Sequence, residues 1–258
     1  MMELVFVLYF SATILLMEIP KGQSASIIGG KESSPHSRPF MALIKGKDYC
    51  GGTLVKESWV LTAAHCNVGS NPEIILGAHS LSKKEETQQI FKIVKSVPSP
   101  CFNWDTMDND IMLLQLNRTA KLNQYVKTIK LTNIYKDLKA GTQCLVAGWG
   151  ITHNKDRKAS DTLHEANVTV FERSICNDMK HYNSNPVVTL NMVCAGDKKG
   201  KRDTCKGDSG GPLICKGEQR GITSFGKPSK CGTAQYPGVY TRLTKTHLLW
   251  IHKIIGGD

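Results

Sequence analysis

From Ile27 onward the chain breaks into short apolar runs of three to six residues, separated by Gly, Pro, Asn and Asp. They fall at residues 40–44, 59–63, 74–76, 91–94, 111–116, 144–147, 167–171, 212–215 and 238–240. Short, regularly spaced runs predict an all-β sandwich or barrel rather than alternating β and α units. A length of 258 residues accommodates two closed barrels, and the polar stretch TNIYKDLKAGT at 132–142 divides the strand-rich halves. At the end of the chain the period changes. Leu248, Leu249, Ile251, Ile254 and Ile255 recur at helical spacing and stop at Gly256-Gly257, which predicts a closing amphipathic helix.

Hydrophobic residues make up 40% of the chain and charged residues 21%, enough for a core and against a disordered tail. The nine cysteines are scattered, with no CxxC pairs, so zinc ribbons and iron–sulfur clusters fit poorly; disulfides with one thiol left over fit better. Residues 4–17 form an almost unbroken apolar run, too short for a membrane span but the length of a signal-peptide core. Gly22 and Ser24 supply small residues for cleavage, placing a signal peptide at 1–24. The start, Met1-Met2-Glu3, lacks the usual basic side chain, and a buried N-terminal helix is the alternative. No other stretch is apolar enough to span a membrane, so a soluble product of the secretory pathway is expected.

Three signals for chemistry follow in order. His65 ends the apolar run LTAAHC, Asp110 stands immediately before Ile111-Met112-Leu113-Leu114, and Ser209 lies in the turn GDSGG, where glycines let a backbone approach a substrate closely. Singly, each has a plain structural reading: a core histidine, a turn former, a loop. The order His, Asp, Ser is one of the chain orders of the catalytic triad, and jointly they are far stronger. Together with IIGG at 27–30, DNDIMLLQL and CKGDSGGPL, these motifs resemble the chymotrypsin family of serine proteases from Ile27 to the C-terminal helix. The segments PHSRPFMA, LGAHSL and ICNDMKHYNSNPVVTLNMVCAGD are similar to the granzymes within that family.

The resemblance implies two six-stranded antiparallel β-barrels with a C-terminal helix over 27–258, and an endopeptidase acting through an acyl-enzyme. It implies Ser209 as nucleophile, His65 as base, Asp110 rather than Asp108 as the histidine's partner, and the N–H groups of Gly207 and Ser209 as oxyanion hole. Asp203 matches the base of the primary specificity pocket, with Ser224, Gly226 and Gly238 as further substrate-binding positions; Arg or Lys is then expected before the cut bond. Asp203 alone could instead solvate the basic loop Lys198, Lys199, Lys201 and Arg202. The implied disulfides are Cys50–Cys66, Cys144–Cys215, Cys176–Cys194 and Cys205–Cys231, which leaves Cys101. That cysteine lies in the proline-rich segment PSPCF, expected to be a surface loop, and suits an intermolecular disulfide in a homodimer. A buried or capped free thiol is the alternative. Residues 25–26, Ala25-Ser26, have no basic residue before Ile27, so removal of a dipeptide is expected rather than trypsin-like activation; signal cleavage one residue later is the alternative. The new amine of Ile27 would pair with Asp208.

Other features concern the surface. The net charge is +11, and +12 (32 basic against 20 acidic residues) once residues 1–26 are removed. Basic clusters at Lys155, Arg157, Lys158 and 198–202 suit storage on acidic proteoglycan, or form only a solvated face. No nucleic-acid recognition motif accompanies the charge. Asn167 and Asn117 open N-glycosylation sequons. No metal site, no calcium loop between Gly69 and Glu86 and no cofactor is expected. Location in cytotoxic-lymphocyte granules and a pore-forming protein partner follow from the resemblance alone. The rival from another class is a basic homologue that binds without cleaving; it predicts a missing triad member, and all three are present.

Overall fold

The structure is a computed structural model that describes residues 27–156 and 158–256; the signal peptide and the dipeptide 25–26 lie outside them. Strands β2 (Met41–Lys45), β3 (Tyr49–Lys56), β4 (Trp59–Thr62), β5 (Glu73–Leu76), β6 (Gln89–Pro98) and β7 (Met112–Leu116) close into an antiparallel barrel in the order β2-β3-β4-β7-β6-β5. A second barrel closes through β8 (Gln143–Gly148), β9 (His164–Val170), β10 (Met192–Gly196), β13 (Gly238–Arg242), β12 (Glu218–Phe225) and β11 (Pro212–Cys215), β11 returning to β8. The short β1 (Lys31–Glu32) pairs with β9. Residues 132–142 lie in the irregular connection between β7 and β8.

The first barrel encloses Leu54, Leu61, Ile74, Leu76, Phe91, Leu113 and Leu114, all essentially inaccessible. The second encloses Ile27, Val146, Val168, Val193, Leu213 and Tyr240. Of the barrel strands, three have no counterpart among the apolar runs of the sequence: β3, β10 and β12. In β3 the pair Gly51-Gly52 looks like a turn, yet a side chain at Gly52 would meet the Val60 methyl at 2.8 Å, so the strands pack too closely for one. In β12 the polar Gln219 and Arg220 break the apolar pattern, yet both are buried because they bond across the molecule: Thr53 Oγ1 donates to Gln219 Oε1 at 2.8 Å and Arg220 to Lys136 O at 2.7 Å. A short helix, α1 (Arg173–Asn177), was also unforeseen.

The closing helix α2 (Lys245–Ile255) forms as expected. Thr244 caps it by accepting from His247 N, and it ends at Gly256. Although it follows the last strand of the second barrel, it packs Leu248 and Ile251 into the first barrel's core. Leu249 corrects the expected apolar face, being 56% exposed. A mutation pair tests this packing. Leu248→Ala, on the face that enters the first barrel, is expected to cost about 2–5 kcal/mol in chemical denaturation because a cavity remains. Leu249→Ala should stay within about 0.5 kcal/mol; similar losses from both would contradict the packing.

Candidate active site

His65 lies just beyond the end of β4. The Cys50–Cys66 disulfide pins that turn to β3, and Thr62 Oγ1 donates to Gly51 O at 2.8 Å. Asp110 comes from the turn entering β7, where Asn109 takes a left-handed conformation at φ 56° and Ile111 N donates to Asn109 O. The two residues meet: Nδ1 of His65 is 2.7 Å from Oδ2 of Asp110, and the His65 backbone N–H donates to Oδ1 at 2.9 Å. Asp108, two residues earlier, turns elsewhere and accepts from Thr189 and Asn191.

Asp110 is fully buried, and the second barrel supplies its remaining donors. Ser224 Oγ donates to Oδ2 at 2.5 Å, and Thr241 Oγ1 to the Asp110 carbonyl at 2.8 Å. The sequence groups Ser224 with the specificity pocket; in the fold its hydroxyl faces this carboxylate. Thr241 carries no sequence signal at all, since its partner is 131 residues away.

Ser209 belongs to the second barrel's loop before β11, and its carbonyl accepts from Gly51 N at 2.7 Å, which anchors it to the first barrel. The next residue, Gly210, has φ 80°, and a side chain there would lie 2.1 Å from Thr62 Oγ1. Ser209 and His65 border one open cleft of about 640 Å³. No Ser209–His65 hydrogen bond is formed; such bonds are often loose without substrate. Gly207, at φ 97°, packs against the Gly150 backbone. Among the described residues the N–H groups of Gly207 and Ser209 have no acceptor, so they can serve a developing negative oxygen.

Two further carboxylates are buried behind this loop. Asp203 accepts from Thr204 N at 2.8 Å and Gly232 N at 3.2 Å, and Asp208 from Gly150 N at 2.8 Å and Cys205 N at 2.9 Å. Burial pushes both up to about 7 despite these donors. Neither has a cationic partner among the described residues. Gly238 lies against Asp203, where a side chain would come within 2.6 Å of Oδ1, while Gly226 faces open space. Ile27 is fully buried in the second barrel's core, and Asp203 N donates to Ile28 O at 3.1 Å.

The four disulfides form with the expected pairings, and Cys101 is free and exposed. Asn117 and Asn167 are both exposed. Lys155 and Lys158 are exposed, Arg157 lies outside the described residues, and Arg202 pairs with Asp197 at 2.9 Å. Among the described residues there is no metal-ligating cluster, and no helix is long and apolar enough to cross a membrane.

Comparison with known proteins agrees with this geometry. The family model described as Trypsin matches residues 27–251. Granzyme A of Bos taurus is 51% identical over 259 residues, covering 99% of each chain. Granzyme B of Rattus norvegicus is 43% identical over 91% of this chain and 93% of its own, and Mast cell protease 3 of Ovis aries 42% over 91% of each. Two barrels joined across a Ser, His and Asp cleft, with these relatives, lead to one conclusion: the chain belongs to the trypsin family of serine endopeptidases.

Proposed function

We propose that this granzyme-type protease cleaves proteins after Arg or Lys, with Ser209, His65 and Asp110 as its catalytic triad. Ser209 Oγ attacks the scissile carbonyl as His65 takes its proton. Asp110 holds the imidazole tautomer through Nδ1 and stabilises the imidazolium. The Gly207 and Ser209 N–H groups receive the oxyanion, and His65 then protonates the leaving amine. The observation that carries the preference is Asp203, a buried carboxylate against Gly238 with no cationic partner among the described residues. A long cationic side chain supplies that charge and leaves the pocket neutral.

Activation follows the same electrostatics. Asp208 is buried without a cationic partner among the described residues, and the free amine of Ile27, exposed by removal of Ala25-Ser26, would provide one and brace the oxyanion loop. Cys101 supports a disulfide-linked homodimer of the granzyme A type in place of a granzyme K-like monomer. It is exposed, and beside it Trp104, 65% exposed, packs edge-on against Phe102 at 5.0 Å. The basic surface suits storage on acidic proteoglycan in secretory granules. Glycans on Asn167 and Asn117, and delivery into target cells with a pore-forming partner in cytotoxic killing, complete the reading by similarity to granzymes.

Three experiments test it. Asp203→Ser should lower kcat/KM for Arg substrates by about 100-fold or more, since a buried substrate cation loses its partner; unchanged hydrolysis would overturn the pocket. In the wild type, burial pushes the Asp203 carboxyl up to about 7 from its ordinary value. Stability tied to its proton is full below about pH 4 and is lost as pH rises through 7. A cation binds only the ionised form, so benzamidine affinity should weaken towards tenfold per unit as pH falls below about 7. Flat affinity from pH 5 to 8 would contradict this. On a non-reducing gel the processed protein should run at twice its reduced mass and Cys101→Ser at the monomer mass; a wild-type monomer would end the dimer reading.

A further inference from the structure

The 640 Å³ cleft at His65 and Ser209 is not the Asp203 pocket: Asp203, Ser224, Gly226 and Gly238 are all absent from its lining. Its walls are the turn holding Lys47, Asp48 and Tyr49, Asn67 beside the Cys50–Cys66 bridge, and Lys206 with Ala159 opposite. With the residue before the cut bond lying towards Asp203, this half of the cleft receives the chain that leaves, on the side where His65 must reach the leaving nitrogen.

The charge of these walls is unbalanced. Lys47 and Lys206 are exposed and form no ion pair among the described residues, and Lys155 and Lys158 rise from the adjoining loop. Against them stands Asp48. The other nearby carboxylate, Asp156, is already engaged by Thr152 Oγ1 at 2.7 Å and His153 N at 2.8 Å. Both cleft lysines sit on fixed backbone. Lys47 N donates to Asn67 O at 3.3 Å, and Lys206 O accepts from Ile151 N at 2.8 Å, directly before the oxyanion glycine Gly207.

We infer that Lys47 and Lys206 select substrates carrying Asp or Glu in the first two positions after the cut bond. The enzyme then reads charge on both sides of that bond, a cation before it through Asp203 and anions after it through this lysine pair. Like charges in the leaving segment meet two ammonium groups set against the single carboxylate of Asp48 in the cleft lining, so basic sequences such as Arg-Lys-Lys are disfavoured. The inference rests on the reading of His65 and Ser209 as the reacting pair and of Asp203 as the base of the pocket for the residue before the cut.

The test uses processed enzyme and quenched peptides identical up to an Arg before the cut, followed by Glu-Asp, Ala-Ala or Lys-Lys. At low salt the acidic peptide should exceed the basic one in kcat/KM by about tenfold, two exposed pairs at roughly threefold each. At about 0.5 M salt the ratio should fall by half or more, because exposed charges are screened within a few ångströms. Lys47→Glu should lower the ratio, and Lys47→Glu with Lys206→Glu should invert it. The readout is a ratio within one protein, so a general loss of rate in the variants does not imitate it. A wild-type ratio near one, or a ratio unmoved by both variants, overturns the inference. If wild type cleaves none of the peptides and Ser209 also resists a fluorophosphonate, the reading of the reacting pair fails instead, and the inference with it.

Discussion

A carboxylate with no access to water needs hydrogen-bond partners within the fold. Asp110 finds its full set only where the two barrels touch. Its own barrel offers the His65 ring and backbone N–H, and the second barrel offers Ser224 Oγ, with Thr241 Oγ1 fixing the adjacent carbonyl. Neither half of the chain can satisfy this group alone. The relative placement of the barrels is thereby part of the chemistry.

The rest of the seam serves that registration. Gly51 N holds the Ser209 carbonyl, Gly210 admits Thr62 where a side chain could not fit, and Thr53 bonds Gln219 across the interface. Helix α2 carries the end of the second half onto the first barrel's core. Three buried carboxylates then lie around one loop. Asp110 has its imidazole, while Asp203 and Asp208 have only backbone donors and are pushed up towards neutrality. In the proposed cycle their cations come from outside the folded precursor, one from the substrate and one from a newly freed amine. In that proposed cycle, processing and substrate choice would act on the same oxyanion turn.

Much of this was legible in residues whose chemistry is local. His65, Asp110 and Ser209 sit in short motifs because each needs a particular turn, and the apolar runs mark most strands of both barrels. The C-terminal helix was visible from its period and its terminal glycines. What stayed hidden depends on distant partners. Strand β12 reads as polar because Gln219 and Arg220 are satisfied by Thr53 and Lys136, more than 80 residues away. Leu249 fits the helical spacing but falls outside the face that meets the barrel. Ser224 could be grouped with the site, yet only the fold turns its hydroxyl to Asp110.

In the proposed mechanism Asp110, held across the seam, keeps the His65 imidazole in the tautomer that can accept the Ser209 proton. Asp110→Asn preserves the shape of the side chain but replaces its carboxylate, and so isolates that role. The variant should give a folded, processed protein with the wild-type melting transition within a few degrees. Its kcat on an Arg substrate should be lower by about 10⁴-fold at neutral pH. A variant that keeps its fold and hydrolyses the substrate within about tenfold of wild type would contradict that mechanism.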